Sequence, residues 1–188
     1  MLSLLSGRIK DRKNPSTEIG GFLFRLDISR VLFQIGVNMS IEIFCDSSFD
    51  NKRHVAGWGV VLKDGEKQRT YSGWLPANNN NIGEIFAIHT ACVLLGGQKG
   101  TIYTDSQTAM MYINNQVREK PRTQAQYINH MTMKFWAYKI RKFGLEIKKV
   151  QAHQKNFNLI NLNNNMADLC AKSGLSKFYL TLNRKRVR

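Results

Sequence analysis

Asp64-Gly65 stands between two β-rich runs, residues 57–62 and 67–74. A two-residue hairpin turn needs positive φ at its centre, and Asp-Gly is among the few pairs that accept it cheaply. The pair therefore predicts two antiparallel strands. A third β-rich run, residues 41–45, lies just upstream and is apolar enough for an interior strand. An antiparallel meander is thus the expected first half of the fold.

The pattern then changes period. Ile82, Ile85, Phe86, His89, Cys92 and Val93 sit at offsets 0, 3, 4, 7, 10 and 11, one face of a helix. An asparagine run, residues 78–81, offers caps for its free amides, and Gly96-Gly97 ends it. Residues 101–104 predict a fourth strand and 106–115 a helix with Ser106 near its cap. Pro121 is expected to open a long amphipathic helix whose apolar face carries Ile128, Met131, Phe135 and Tyr138, at offsets 0, 3, 7 and 10, and Gly144 to close it. Residues 145–150 alternate as a fifth strand. Met166, Leu169 and Cys170 mark a short last helix ended by Gly174. The order β-β-β-α-β-α-α-β-α predicts an α/β fold with a five-stranded mixed sheet, an antiparallel meander plus parallel strands, flanked by helices.

With 188 residues the chain is one ordinary domain, and 43% hydrophobic residues rule out a disordered basic tail protein. Its 28 Lys and Arg against 13 Asp and Glu leave a charge of +15, which points to a polyanionic partner. No apolar run is long enough for a membrane span. Cys45, Cys92 and Cys170 are scattered, with no zinc-like spacing, which predicts a reducing compartment such as the cytoplasm. The apolar start precedes its basic residues, the reverse of a secretory signal. Residues 1–38 lack clear periodicity and read as an extension dispensable for catalysis. Residues 39–176 read as the functional domain and 177–188 as a basic tail, whose last five residues, 184–188, are expected to be disordered.

Thirteen acids in so basic a chain make their placement informative. Asp46 follows the first strand, Asp105 follows the fourth, Glu84 falls in the first turn of the first long helix, and Asp168 lies in the last helix. Neighbouring parallel strands end at one edge of a sheet, so Asp46 and Asp105 converge there. Clustered carboxylates repel unless cations join them, and hard divalent ions suit oxygen ligands. His89 reads as a packed core residue, and His54 and His130 have no motif context.

The contexts of these acids are Ile41-Glu42-Ile43-Phe44-Cys45-Asp46, Gly57-Trp58-Gly59-Val60-Val61, Asn80-Asn81-Ile82-Gly83-Glu84, Tyr103-Thr104-Asp105-Ser106-Gln107, Val150-Gln151-Ala152-His153 and Asn165-Met166-Ala167-Asp168-Leu169-Cys170-Ala171. In content and order, from about residue 41 to 174, this resembles type 1 ribonuclease H. The resemblance implies the family's five-stranded fold and hydrolysis of the RNA strand of RNA–DNA hybrids with two Mg²⁺ ions, or Mn²⁺ in their place. It implies that Asp46, Glu84, Asp105 and Asp168 hold the metal, that His153 assists proton transfer or product release, and that Ser48, Asn80, Asn81 and Gln107 contact the hybrid. Amides both donate and accept, so they suit 2′-hydroxyls and base edges.

The chain departs from the family in three places. Residues 46–50 lack the family's glycine-rich sequence, 15 positions separate His153 from Asp168, and residues 115–121 leave little room for a basic protrusion. Lys134, Lys139, Arg141, Lys142, Lys148 and Lys149 are the alternative phosphate contacts. Two other readings stay open: a non-catalytic hybrid-binding domain, and a 3′–5′ exonuclease, although the latter normally carries D-x-E where Asp46-Ser47-Ser48 stands here. The expected partner is an RNA–DNA hybrid, with no membrane contact, bound by a free-standing monomer.

Overall fold

The computed structural model of the chain describes residues 40–118, 120–151 and 158–186. The expectations for residues 1–38 and for His153 therefore fall outside the described residues. The elements run β1 (Ile41–Asp50), β2 (Val55–Asp64), β3 (Lys67–Pro76), α1 (Asn80–Leu95), β4 (Gly100–Thr104), α2 (Gln107–Ile113), α3 (Gln124–Arg141), β5 (Glu146–Lys149) and α4 (Leu159–Arg186).

One five-stranded sheet has the order β3-β2-β1-β4-β5. β1 pairs antiparallel with β2, and β2 antiparallel with β3. β4 pairs parallel with β1 and with β5. The mixed sheet expected from the element order is what forms. β1 sits at its centre, and alternation along it serves both faces. Ile43 and Cys45 join Ile85, Ile88, Cys92 and Leu95 of α1 in one fully or nearly fully buried layer, while Phe44 joins Val61 and Ala167 of α4 in another. Helices thus cover both sides of the sheet, and the central strands β1 and β2 contribute apolar residues to both faces.

The local chemistry of α1 is as expected. Asn79 caps it by accepting from the Ile82 amide at 3.2 Å, and Gly96 closes it at φ 56°, a conformation costly for a side chain with Cβ. His89 packs against the Trp136 ring, centroids 4.7 Å apart.

Several expectations are corrected. β1 does not stop at Cys45; its ladder with β2 runs on to Asp50–Val55, so Asp46 lies within the strand, opposite Gly59. Glu84, counted from Asn80, belongs to the second turn of α1 rather than the first. α3 starts at Gln124, not Pro121, because Thr123 and Gln126 form a capping box there. It also buries the face opposite the apolar one read from its sequence: Met133, Ala137 and Ile140 are inside, while Ile128, Met131, Phe135 and Tyr138 are exposed. Periodicity finds an apolar face but does not say which way it turns, and Ala137 permits a closer approach than the aromatic stripe would.

The last correction concerns α4, which passes straight through Gly174 and runs to Arg186. Glycine is needed there because a Cβ would overlap the carbonyl oxygen of Gly73 on β3. The helix therefore gains contact with the sheet where the sequence suggested an end. Residues 177–186 accordingly continue the helix, and 177–179 dock on the sheet. Lys177 Nζ donates to Ser72 Oγ at 2.7 Å and to its carbonyl at 2.9 Å. Phe178 meets the edge of Trp74 at 5.0 Å. Tyr179 donates its hydroxyl to Asp50. That bond, with help from Arg53, holds the Asp50 carboxyl down at about 2.

Deleting residues 177–188 should consequently lower the melting temperature. The aromatic pair and the hydrogen bonds to Ser72 and Asp50 are lost together, for an expected fall of about 5–10 °C in a domain of this size. A calorimetric scan showing no change would restore the reading of a free tail. Among the described residues, no helix is long and apolar enough to cross a membrane.

Candidate active site

Three elements deliver one carboxylate each. β1 presents Asp46 from the middle of the sheet. Parallel β4 ends at Thr104, so the next residue, Asp105, emerges at the neighbouring strand end. The Asp105 turn is held by the Thr104 hydroxyl, which accepts from the Ser106 amide at 3.2 Å, and by Ser106, whose hydroxyl caps α2. α1 lies close enough to add Glu84, because Gly83 has no side chain; a Cβ there would come 2.7 Å from that of Ala56 and 2.9 Å from that of Ser47.

Asp46, Glu84 and Asp105 each offer an oxygen within 4.8 Å of the others. Asp46 and Glu84 are only 7% and 6% exposed. Their hydrogen bonds fix them from behind. The Ser47 amide donates to Asp46 Oδ1 at 2.7 Å. Asn80 Nδ2 donates to Glu84 Oε1 at 3.0 Å, and its own Oδ1 accepts from Ser47 Oγ at 2.7 Å. Both ends of the Asn80 amide are thereby engaged inside the site. Glu84 Oε2 is buried and has no hydrogen-bond partner.

The electrostatics follow from that enclosure. Burial, then the charge of Asp105, pushes Asp46 up to about 7. Burial, then Asp46 and Asp105, pushes Glu84 well above its ordinary value. Asp168 projects from α4 toward the same edge, and its charge adds to the rise at Asp46. It stands outside the tight trio and pairs with Lys172 at 2.7 Å. Among the described residues no Lys or Arg pairs with Asp46, Glu84 or Asp105. An orphaned carboxylate oxygen, three convergent anions and an all-oxygen donor set together fit a hard divalent cation.

A pH dependence follows. Unfolded, Asp46 releases its proton near 3.8; folded and metal-free, it keeps it to about 7. The folded state binds more protons in that interval, so metal-free stability should fall as pH rises from about 4 to 7. Melting temperatures in chelator should show that decline, flattened in Asp46→Asn. Added Mg²⁺ should raise the melting temperature more at pH 8 than at pH 5, because proton and metal compete for the same oxygens. Equal shifts at both values would contradict the shared site.

The remaining expected contacts lie on three elements that also bear or adjoin the trio. Ser48 lies in β1 opposite Gly57. Gln107 is exposed at the first position of α2. Asn81 lines a cleft of about 940 Å³ together with Asn79, Arg118, Lys120 and Arg122. The basic residues beside the amides therefore come from the connection between α2 and α3 rather than from the expected set. Arg141 donates to the carbonyls of Tyr112 and Ile113, and Lys148 pairs with Glu146. Sequence reasoning missed Ser47 and Lys172; the departure from glycine-rich sequence after Asp46 was the signal for the first.

The RNase H family model matches residues 38–176. The chain belongs to the RNase H family. Ribonuclease HI of Helicobacter pylori is 35% identical over 75 residues, which is 39% of this chain and 52% of that relative. The chain spans about half the length of the curated relatives it matches. Its fold is that of RNase H1 from the halophilic archaeon Halobacterium salinarum NRC-1, with a TM-score of 0.52 and 15% identity over 73% of this chain and 98% of that one. LC11-RNase H1, solved in complex with an RNA/DNA hybrid, superposes with a TM-score of 0.50 and 16% identity over 74% of this chain and 99% of its own. As an RNase H domain, the chain carries an acidic group suited to divalent metal at the centre of its sheet edge.

Proposed function

We propose that this chain cleaves the RNA strand of RNA–DNA hybrids endonucleolytically, using two Mg²⁺ ions, with Mn²⁺ as a substitute. The observation that carries the reading is the trio Asp46, Glu84 and Asp105, the first two buried and the third half-buried, mutually repelling and, among the described residues, without a basic partner, at the edge of an RNase H sheet. Asp168 is the fourth ligand in this reading, on exchange of Lys172 for metal. Bound divalent ions would supply Lewis-acid activation of water and stabilise the departing oxygen. The protein's own part is positional: Ser47 and Asn80 aim Asp46 and Glu84, while Asn81, Gln107 and Ser48 offer hydrogen bonds to the minor groove. Arg118, Lys120 and Arg122 attract backbone phosphates, and the relative solved with an RNA/DNA hybrid supports that class of ligand. His153 is proposed as an aid to proton transfer on its sequence context alone.

The test is a labelled RNA–DNA hybrid incubated with the protein and Mg²⁺, beside single-stranded RNA and duplex RNA. Internal cuts in the hybrid's RNA strand, abolished by chelator, are expected. Binding without cleavage would assign the chain to hybrid recognition, and stepwise release of terminal nucleotides would make it an exonuclease.

A further inference from the structure

We propose that the outward face of α3 docks an acidic amphipathic helix of a partner protein, an interaction separate from hybrid cleavage. Ile128, Met131, Phe135 and Tyr138 are each 47–52% exposed, and Tyr127 beside them 55%. They form a stripe along a helix of 18 residues, about 27 Å long. Their spacing of 3, 4 and 3 repeats every seven residues, the seam with which one helix packs against another. The stripe is not a misplaced core, since the inner face of α3 is already filled by Met133, Ala137 and Ile140.

Charge decides the kind of partner. Lys134 and Lys139 occupy the positions flanking the seam, and no Asp or Glu occurs from residue 120 to 145. A second copy of this chain would set lysine against lysine, which opposes self-pairing. Residues 1–38 carry six basic and three acidic residues, again the wrong balance. A helix with apolar residues at its own seam and Glu or Asp at the flanks satisfies both features. Single-stranded nucleic acid fits less well. Lys139 already lies over the Phe135 ring at 5.5 Å and Lys142 over Tyr138 at 4.5 Å, so these faces are not open stacking platforms. Ile128 and Met131 have no flat face to offer.

The experiment uses the full chain and two synthetic 21-residue helical peptides with the same Ile/Leu seam, one with Glu at the flanking positions and one with Lys. Fluorescence anisotropy should show saturable binding of the Glu peptide and at least tenfold weaker binding of the Lys peptide. Met131→Glu/Phe135→Glu should weaken the Glu peptide at least tenfold. Lys134→Glu/Lys139→Glu should reverse the preference between peptides. Unchanged circular dichroism and melting temperature would exclude misfolding as the cause. The proposal is overturned if neither peptide binds, if both bind equally, or if the charge-reversed variant keeps the wild-type preference. It is equally overturned if the face serves another occupant: a uridylate 20-mer or phosphatidylserine vesicles whose binding is lost in Met131→Glu/Phe135→Glu, or a dimer in light scattering that the same variant dissociates.

Discussion

Asp105→Asn is expected to lower the rate of hybrid cleavage by about 10³-fold or more while making the metal-free protein more stable. Both effects arise from one charge. Asp105 is one of three carboxylates whose oxygens lie within 4.8 Å, and its anionic oxygen is what a divalent ion would take. Asparagine keeps the shape, so α2 and its Ser106 cap have no reason to move. The same charge raises both Asp46 and Glu84 toward their neutral forms, which is the mark of ground-state repulsion. Removing it relieves that repulsion, a familiar exchange of stability for function at a site built from like charges. Single-turnover cleavage and melting temperature in chelator at pH 8 measure the two arms. Full cleavage would remove Asp105 from the metal set, and a lower melting temperature would contradict the repulsion.

Gly59→Ala is expected to damage fold and activity together. Gly59 lies opposite Asp46 in the β1–β2 ladder, and a Cβ there would overlap the Ala167 carbonyl oxygen of α4. Backbone cannot step aside as a flexible side chain can, so the helix must lift from the sheet. Overpacking of this kind costs about 1–3 kcal/mol or more, an expected fall of about 3–10 °C in melting temperature. Ala167 directly precedes Asp168, so the lift also carries that carboxylate away from Asp46. Cleavage should therefore fall further than the folded fraction does, and raising Mg²⁺ should recover part of it. A variant with wild-type melting temperature and wild-type metal dependence would show that α4 tolerates the extra carbon.

What could be read from the residues followed from how local each signal was. The hairpin after Asp64, the inward face of α1 at Ile82, Ile85 and Cys92 and the glycine cap at its end depend on neighbours a few positions away, and they formed. The hairpin turns one residue late, however, at Gly65-Glu66 with Asp64 paired to Lys67, and Val93 is exposed. The convergence of Asp46 and Asp105 needed only parallel pairing of their strands. The orientation of α3 depended on what α1 offers across the interface, and no period along α3 records that. Gly174 resembled a stop because glycine weakens helices in isolation. Its purpose became visible only against Gly73, a residue 101 positions away. Asn80 was legible as a site residue but not in its inward role, because that role requires Ser47 to face it across two elements.

α4 and β1 are fastened to each other at two places. Ala167 packs with Phe44 near one end, and Tyr179 grips Asp50 at the other. Six residue steps on β1, from Phe44 to Asp50, span about 20 Å, and twelve on α4, from Ala167 to Tyr179, about 18 Å. A rod pinned once can swivel, but a rod pinned twice at similar spans keeps its angle. The gap between Asp46 on the strand and Asp168 on the helix, which the proposed metal site would span, is thereby set by a tyrosine three turns away, and the last turns of α4 act as the gauge that holds it to size.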